Sequence, residues 1–240
     1  MAKKKPELTV IQEEVVECRA CPRLVAHRED IAARRTKRFD DQTYWGRPVP
    51  SFGDPQAQLL IVGLAPASHG ANRTGRMFTG DRSGEWLFEA MHHYGFANQP
   101  ESTARDDELR LKNAYITAVV RCAPPANKPS RSEKETCRTF LVRELAALQQ
   151  VRVVLALGKI AFDGFLAAWG EAGGQVPRPK PKFAHRAGST FSDGLHLLAS
   201  YHPSQQNTFT GRLTRSMFHS VFREARQLID APMDRRSMPR

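Results

Sequence analysis

Four short apolar runs constrain this chain most: Leu59–Val62, Tyr115–Val120, Val151–Leu157 and Leu195–Ser200. Each is bounded by Gly, Pro or polar residues. Continuous apolar runs of this length suit strands covered on both faces, as in a parallel sheet. Helical patterns lie between them. Ser83–Tyr94 opens on a Ser that can cap a helix, Ser132–Gln149 opens on a Ser-x-x-Glu capping box, and Gly158–Trp169 follows the third run. Leu213, Met217, Val221, Ala225 and Leu228 form one apolar stripe on a last helix. Strand and helix in alternation imply an α/β layer sandwich around a parallel sheet.

Ahead of these runs, residues 1–6 read as a basic tail and Glu7 to about Ala20 as a helix. Residues 28–50 read as an irregular, charged surface segment anchored by Tyr44 and Trp45. Residues 173–188 are a Gly/Pro-rich loop that carries Arg178, Lys180, Lys182 and Arg186 and no acid. No linker divides the chain, so residues 1–230 are expected to form one domain and 231–240 a mobile tail. No run of about 18 apolar residues could form a membrane span. The N-terminus lacks the apolar stretch of a secretory signal. An intracellular, cytoplasmic protein without a membrane partner is expected. Lys and Arg number 36 against 25 Asp and Glu, a net charge of +11. That excess points to a polyanionic partner, most simply nucleic acid.

The chain has four cysteines: Cys18 and Cys21 in C-x-x-C, and Cys122 and Cys137 separated by fourteen residues. An intracellular chain disfavours structural disulfides. A redox C-x-x-C follows a strand in a thioredoxin-like unit, whereas this one ends a helix. A four-thiolate site is the remaining reading, and both zinc and a [4Fe–4S] cluster accept it. The wide second pair leans toward the cluster. Either would close a loop of about a hundred residues and staple the N-terminal segment to the segment after the second strand.

The densest chemistry leaves the first strand, from Gly63 to Asp81. Ligands bind beyond the carboxyl ends of strands in open α/β sheets. Gly70-x-x-x-x-Gly75 matches half of a phosphate-binding P-loop, but Arg76-Met77 replaces its Lys-Ser/Thr, and no G-x-G-x-x-G is present. Phe78 suits either stacking on a base or a place in the core. Asp81 suits either helix entry or the positioning of water. After the last strand, His202 can face the same cleft, followed by Pro203 and by Ser204, Gln205, Gln206 and Asn207, whose uncharged donors and acceptors suit phosphates and base edges.

Taken in order, Gly63-Leu64-Ala65-Pro66-Ala67, the Gly70–Asp81 segment, Arg121-Cys122-Ala123-Pro124-Pro125-Ala126-Asn127-Lys128-Pro129 and His202-Pro203-Ser204-Gln205-Gln206-Asn207 resemble the family 5, or type B, uracil-DNA glycosylases. The match covers most of residues 18–220. The resemblance implies a three-layer α/β/α sandwich with a central four-stranded parallel sheet. It implies a [4Fe–4S] cluster on Cys18, Cys21, Cys122 and Cys137. It also implies a monofunctional, base-flipping DNA repair glycosylase that hydrolyses the N-glycosidic bond of uracil and leaves an abasic site. Ala65 and Ala118 stand where other uracil glycosylases carry polar residues, which implies a wider base range that includes hypoxanthine. Asp81, His202 and Asn127 are the expected catalytic residues. Leu64 to Ala67, Phe78, Ser204 and Asn207 are expected to contact the base or its nucleotide. Arg73, Arg76, Arg121, Lys128, Gln205, Arg212 and Arg215 are expected to contact DNA, with a monomer acting on it. The competing class is a non-catalytic iron–sulfur protein that binds nucleic acid; an iron–sulfur electron carrier is a third.

Overall fold

The computed structural model describes residues 5–232. In chain order its elements are α1 (Glu7–Glu17), α2 (Pro22–Arg34), β1 (Phe52–Gly53), β2 (Leu59–Gly63), α3 (Ala71–Thr74), α4 (Arg82–His93), β3 (Ala114–Ala118), α5 (Arg131–Ala147), β4 (Val153–Leu157), α6 (Lys159–Glu171), β5 (Gly188–Thr190), β6 (His196–Ser200), α7 (Gln205–Phe209) and α8 (Arg215–Asp230). The four apolar runs are β2, β3, β4 and β6, paired in parallel in the order β3-β2-β4-β6. Alternate residues feed two separate cores. Leu59, Ile61, Ile116, Val153 and Leu155 pack toward Leu87, Met91, Phe218 and Phe222 of α4 and α8. Leu60, Val62, Tyr115, Val154 and Ala156 pack toward Ile11, Leu141 and Phe165 of α1, α5 and α6. Each buried Leu, Ile or Val contributes about 1.5–3 kcal/mol, so both strand faces must be apolar. The result is the expected α/β/α sandwich.

The sheet is wider than four strands. Two short antiparallel strands, β1 and β5, close its edges against β3 and β6. At two and three residues they are too short to leave a pattern in sequence.

Several boundaries also differ from expectation. Residues 28–34 belong to α2, because Leu24, Val25 and Arg28 give that helix a buried face. Asp81 rather than Ser83 caps α4, and Ser130 with Glu133 forms the capping box of α5 in place of Ser132 with Glu135. On α8 the buried stripe is Phe218, Val221, Phe222, Ala225 and Ile229, one residue round from Met217 and Leu228, while Leu213 is buried just ahead of the helix. Residues 233–240 of the expected tail lie outside the described residues.

Strand order also positions the site. The chain leaves β2 for β3 on one side, then crosses back to β4 on the other. The loops after β2 and β4 therefore run in opposite directions, opening a crevice at the carboxyl edge where ligands of such sheets bind.

Candidate active site

The loop from Leu64 to Asp81 forms one wall of the crevice. It folds as α3 and a series of turns closed on Ala67 O and Gly70 O, and Tyr44 braces it through a 3.0 Å hydrogen bond between its hydroxyl and His69 Nδ1. Phe78 is buried at the end of this wall with φ +56°, a strained conformation for an aromatic residue. Its ring crosses the end of β2 so closely that a Cβ on Gly63 would lie 2.8 Å from Phe78 Cζ.

His202 forms the other wall. It follows β6, and its ring stacks with that of Phe78, centroids 6.1 Å apart at 27°. Gly158, the first residue after β4, packs against it and donates its N–H to Ser200 O at 2.8 Å. Asn207 Nδ2 donates to His202 O at 2.8 Å, and Ser204 caps α7. Asn207 thus braces the His202 backbone, and Ser204 braces the start of α7. Burial pushes the His202 imidazole down to about 4, so it is neutral at pH 7, and it has no hydrogen-bonding protein partner among the described residues. A neutral imidazole there can donate one hydrogen bond into the crevice.

Asp81 caps α4 by accepting from Gly84 N at 3.0 Å with Oδ1. Its Oδ2 lies against Gly70, where a Cβ would come within 2.1 Å. Burial raises its carboxyl above the ordinary range, more than the Gly84 and Ser83 N–H groups lower it. Asn127 is exposed in the turn Pro125–Asn127, where Ala126 and Asn127 both have positive φ. Among the described residues, no side-chain hydrogen bond joins it to Asp81 or His202. The structure thus brings Phe78 and His202 together, half-buries Asp81 in the adjacent loop and leaves Asn127 exposed.

The four cysteines converge although they come from distant segments. All are free thiols lining a cavity of about 270 Å³ with Leu24, Val25 and Pro48. Arg28 Nη1 donates to Cys122 Sγ at 2.9 Å, and Arg121 N–H donates to Cys137 Sγ at 3.3 Å. Burial raises Cys21 and Cys122 and pushes Cys137 up to about 12. Among the described residues, no three His, Cys, Asp or Glu side chains gather as for a single metal ion.

A family model, the uracil DNA glycosylase superfamily, matches residues 50–226. This chain belongs to that superfamily. Within it, similarity falls on the type-5 branch. The chain is 51% identical over 211 residues to a type-5 uracil-DNA glycosylase of Thermus thermophilus, covering 88% of this chain and 93% of that protein. It is 43% identical over 212 residues to the type-5 enzyme of Pyrobaculum aerophilum, covering 88% of each. To a type-4 uracil-DNA glycosylase of Archaeoglobus fulgidus it is 28% identical over 178 residues, covering 74% of this chain and 79% of that one.

In this superfamily member three expected DNA contacts are instead internal struts. Arg121 is 1% exposed and pairs with the fully buried Glu144 at 2.5 Å, also bonding Ser51. Arg76 is spent on Asp107 at 2.6 Å, Ser102 at 2.8 Å and Thr79 at 2.9 Å. Arg73 bridges His69 O, Gln42 and Gly80 O across the β2 loop and stacks on Phe39 at 4.0 Å. A buried guanidinium needs such partners, and none of the three is free for phosphate.

Lys128, Gln205 and Arg212 are exposed; Arg215 is exposed but shares Glu89 with His219. Sequence reasoning expects Gln205–Arg212 to enter the duplex without singling out Phe209, the large apolar side chain most open to solvent among the described residues at 69%, on α7 with Arg82 over its ring at 4.9 Å. An isolated aromatic in the polar run Gln205–Arg212 was its only signal. The basic loop also reaches the site, because Phe183 and His185 pack on Tyr201, next to His202, with centroids 6.1 and 5.1 Å away. No helix among the described residues is long and apolar enough to cross a membrane.

Proposed function

We propose that this chain is a monofunctional uracil-DNA glycosylase that flips the damaged nucleotide into the crevice between the β2 loop and His202. The observation that carries this reading is the neutral, unpartnered His202 imidazole facing Phe78 at the sheet's switch point. Breaking the glycosidic bond leaves negative charge on the departing base and positive charge on the sugar. His202 donates a hydrogen bond to a uracil carbonyl as that charge develops. Phe78 stacks on the ring, and backbone of Leu64 to Ala67 lines the pocket. Asp81, held by Gly84 N, orients the attacking water or stabilises the sugar cation. Asn127 is close enough in sequence to the thiol-bearing segment to be fixed with it, and contacts base or water from the rim. Ala65 and the buried Ala118 offer no polar group to read the base. Hypoxanthine is therefore accepted as well.

Phosphates are held by Lys128, Arg212, Arg215 and the loop bearing Arg178, Lys180, Lys182 and Arg186. Phe209, projecting from α7, fills the gap left in the duplex. Cys18, Cys21, Cys122 and Cys137 hold a [4Fe–4S] cluster. Four free thiols lining one cavity support a four-thiolate site, and the wide spacing of the second pair favours a cluster over zinc. When bound, the cluster would supply structural cross-links between α1, α2, the segment after β3 and α5. No reaction step passes through it.

The test is a labelled duplex with one uracil opposite guanine, incubated with anaerobically purified protein and then treated with hot alkali. Breaks only at uracil, appearing only after alkali, are expected. Intact DNA, from protein that binds it and holds its cluster, would favour the non-catalytic reading.

A further inference from the structure

Arg28 is used neither by the glycosidic chemistry nor as a ligand. It lies on α2 at 1% exposure, among the largest fully buried side chains. Its guanidinium reaches Cys122 Sγ at 2.9 Å and Cys18 O at 3.3 Å, and its Nε is buried without a partner. The nearest carboxylate, Glu29, is 3.8 Å away and already bound at the surface by Arg19 at 2.6 Å. The other arginine buried this deeply, Arg121, has a buried carboxylate of its own in Glu144. A guanidinium taken out of water costs several kcal/mol unless an anion faces it. For Arg28 the groups facing it are a cysteine sulfur and a ligand-segment carbonyl, not an acid.

We propose that Arg28 is the counter-cation and positioning residue of the cluster held by Cys18, Cys21, Cys122 and Cys137. The proposal rests on the cluster reading above. A cluster bound by four thiolates is a net anion, and it supplies the charge that Glu29 does not. A charged hydrogen bond to Cys122 Sγ withdraws electron density from that sulfur and stabilises the more negative, one-electron-reduced form. Its backbone also ties α2 to the loop after β2: Arg28 O accepts from Asn72 Nδ2 at 3.2 Å, and Asn72 N donates to Ala67 O at 3.0 Å.

The test compares wild type, Arg28→Met and Arg28→Lys, purified anaerobically. Iron and sulfide are quantified, and midpoint potentials are read from dithionite titrations followed by electron paramagnetic resonance. Arg28→Met is expected to have a midpoint more negative than wild type and to lose iron several-fold faster in air. Arg28→Lys keeps the charge and recovers most of the potential. Should Arg28→Met not retain iron, Arg28→Lys alone carries the comparison: iron content near wild type supports the role, and loss equal to that of Met overturns it. An unshifted midpoint in iron-replete Arg28→Met also overturns it. Wild type without iron and sulfide fails earlier, at the cluster itself, and removes both proposals.

Discussion

Asp81 is tied to the backbone of α4 through Oδ1 while burial holds its carboxyl above the ordinary range. Asp81→Asn keeps an acceptor at the cap, so its stability should change by only a few tenths of a kcal/mol to about 1 kcal/mol. Single-turnover cleavage should fall by roughly 10²-fold or more, with DNA affinity nearly unchanged. The acid limb of the wild-type pH–rate profile should lie above the range of an ordinary aspartate, and the residual activity of Asp81→Asn should lack it. Near-normal single-turnover cleavage by the variant would remove Asp81 from the mechanism.

His202 makes a separate prediction about stability. Its folded pKa of about 4 lies below that of an unfolded histidine, about 6.5. The unfolded state therefore takes up the proton first as pH falls. Stability is full above about 6.5 and declines toward 4, by at most about 1.4 kcal/mol per pH unit. Urea midpoints at pH 7 and pH 5 should differ less in His202→Gln than in wild type.

At the level of elements, α7 and the basic loop are the parts proposed to meet DNA. Replacing Arg178, Lys180, Lys182 and Arg186 with Gln should flatten the salt dependence of duplex binding, by a slope of about 0.9 for each phosphate no longer neutralised. Cleavage within the bound complex should be unchanged. A slope equal to that of wild type would return this loop to solvent. Phe209→Ala should slow excision from duplex more than from single strands, because a single strand leaves no gap to fill.

Elements were legible where their pattern was long. The four strands and α6 stand in the sequence because both cores demand unbroken apolar runs. Helix starts were less legible, since Asp81 and Ser83, or Ser130 and Ser132, offer the same capping chemistry two residues apart. Of the site, Phe78, Asp81 and His202 could be placed from their positions after strands. Arg73, Arg76 and Arg121 could not, because the partners that bury the last two, Asp107 and Glu144, lie 31 and 23 residues further along the chain. Sequence shows charge, but the fold decides which charges are free.

The whole molecule is a sandwich whose carboxyl edge carries both the crevice and the thiol cavity. Arg121 joins them: its N–H reaches Cys137, its side chain holds Glu144 on α5, and its chain leads through Cys122 to Asn127. Arg121→Met should destabilise the fold by about 3–5 kcal/mol, read by urea unfolding, because it strands Glu144 without its cation. In the proposed mechanism this edge releases uracil from DNA through His202 and Asp81. Its most direct test is to measure free uracil released from a uracil-containing duplex by wild type and by the His202→Ala, Asp81→Asn double variant, both cluster-replete and both shown to bind DNA. Release by wild type and little or none by the double variant is the predicted result. No release by wild type, or equal release by both, would contradict the account.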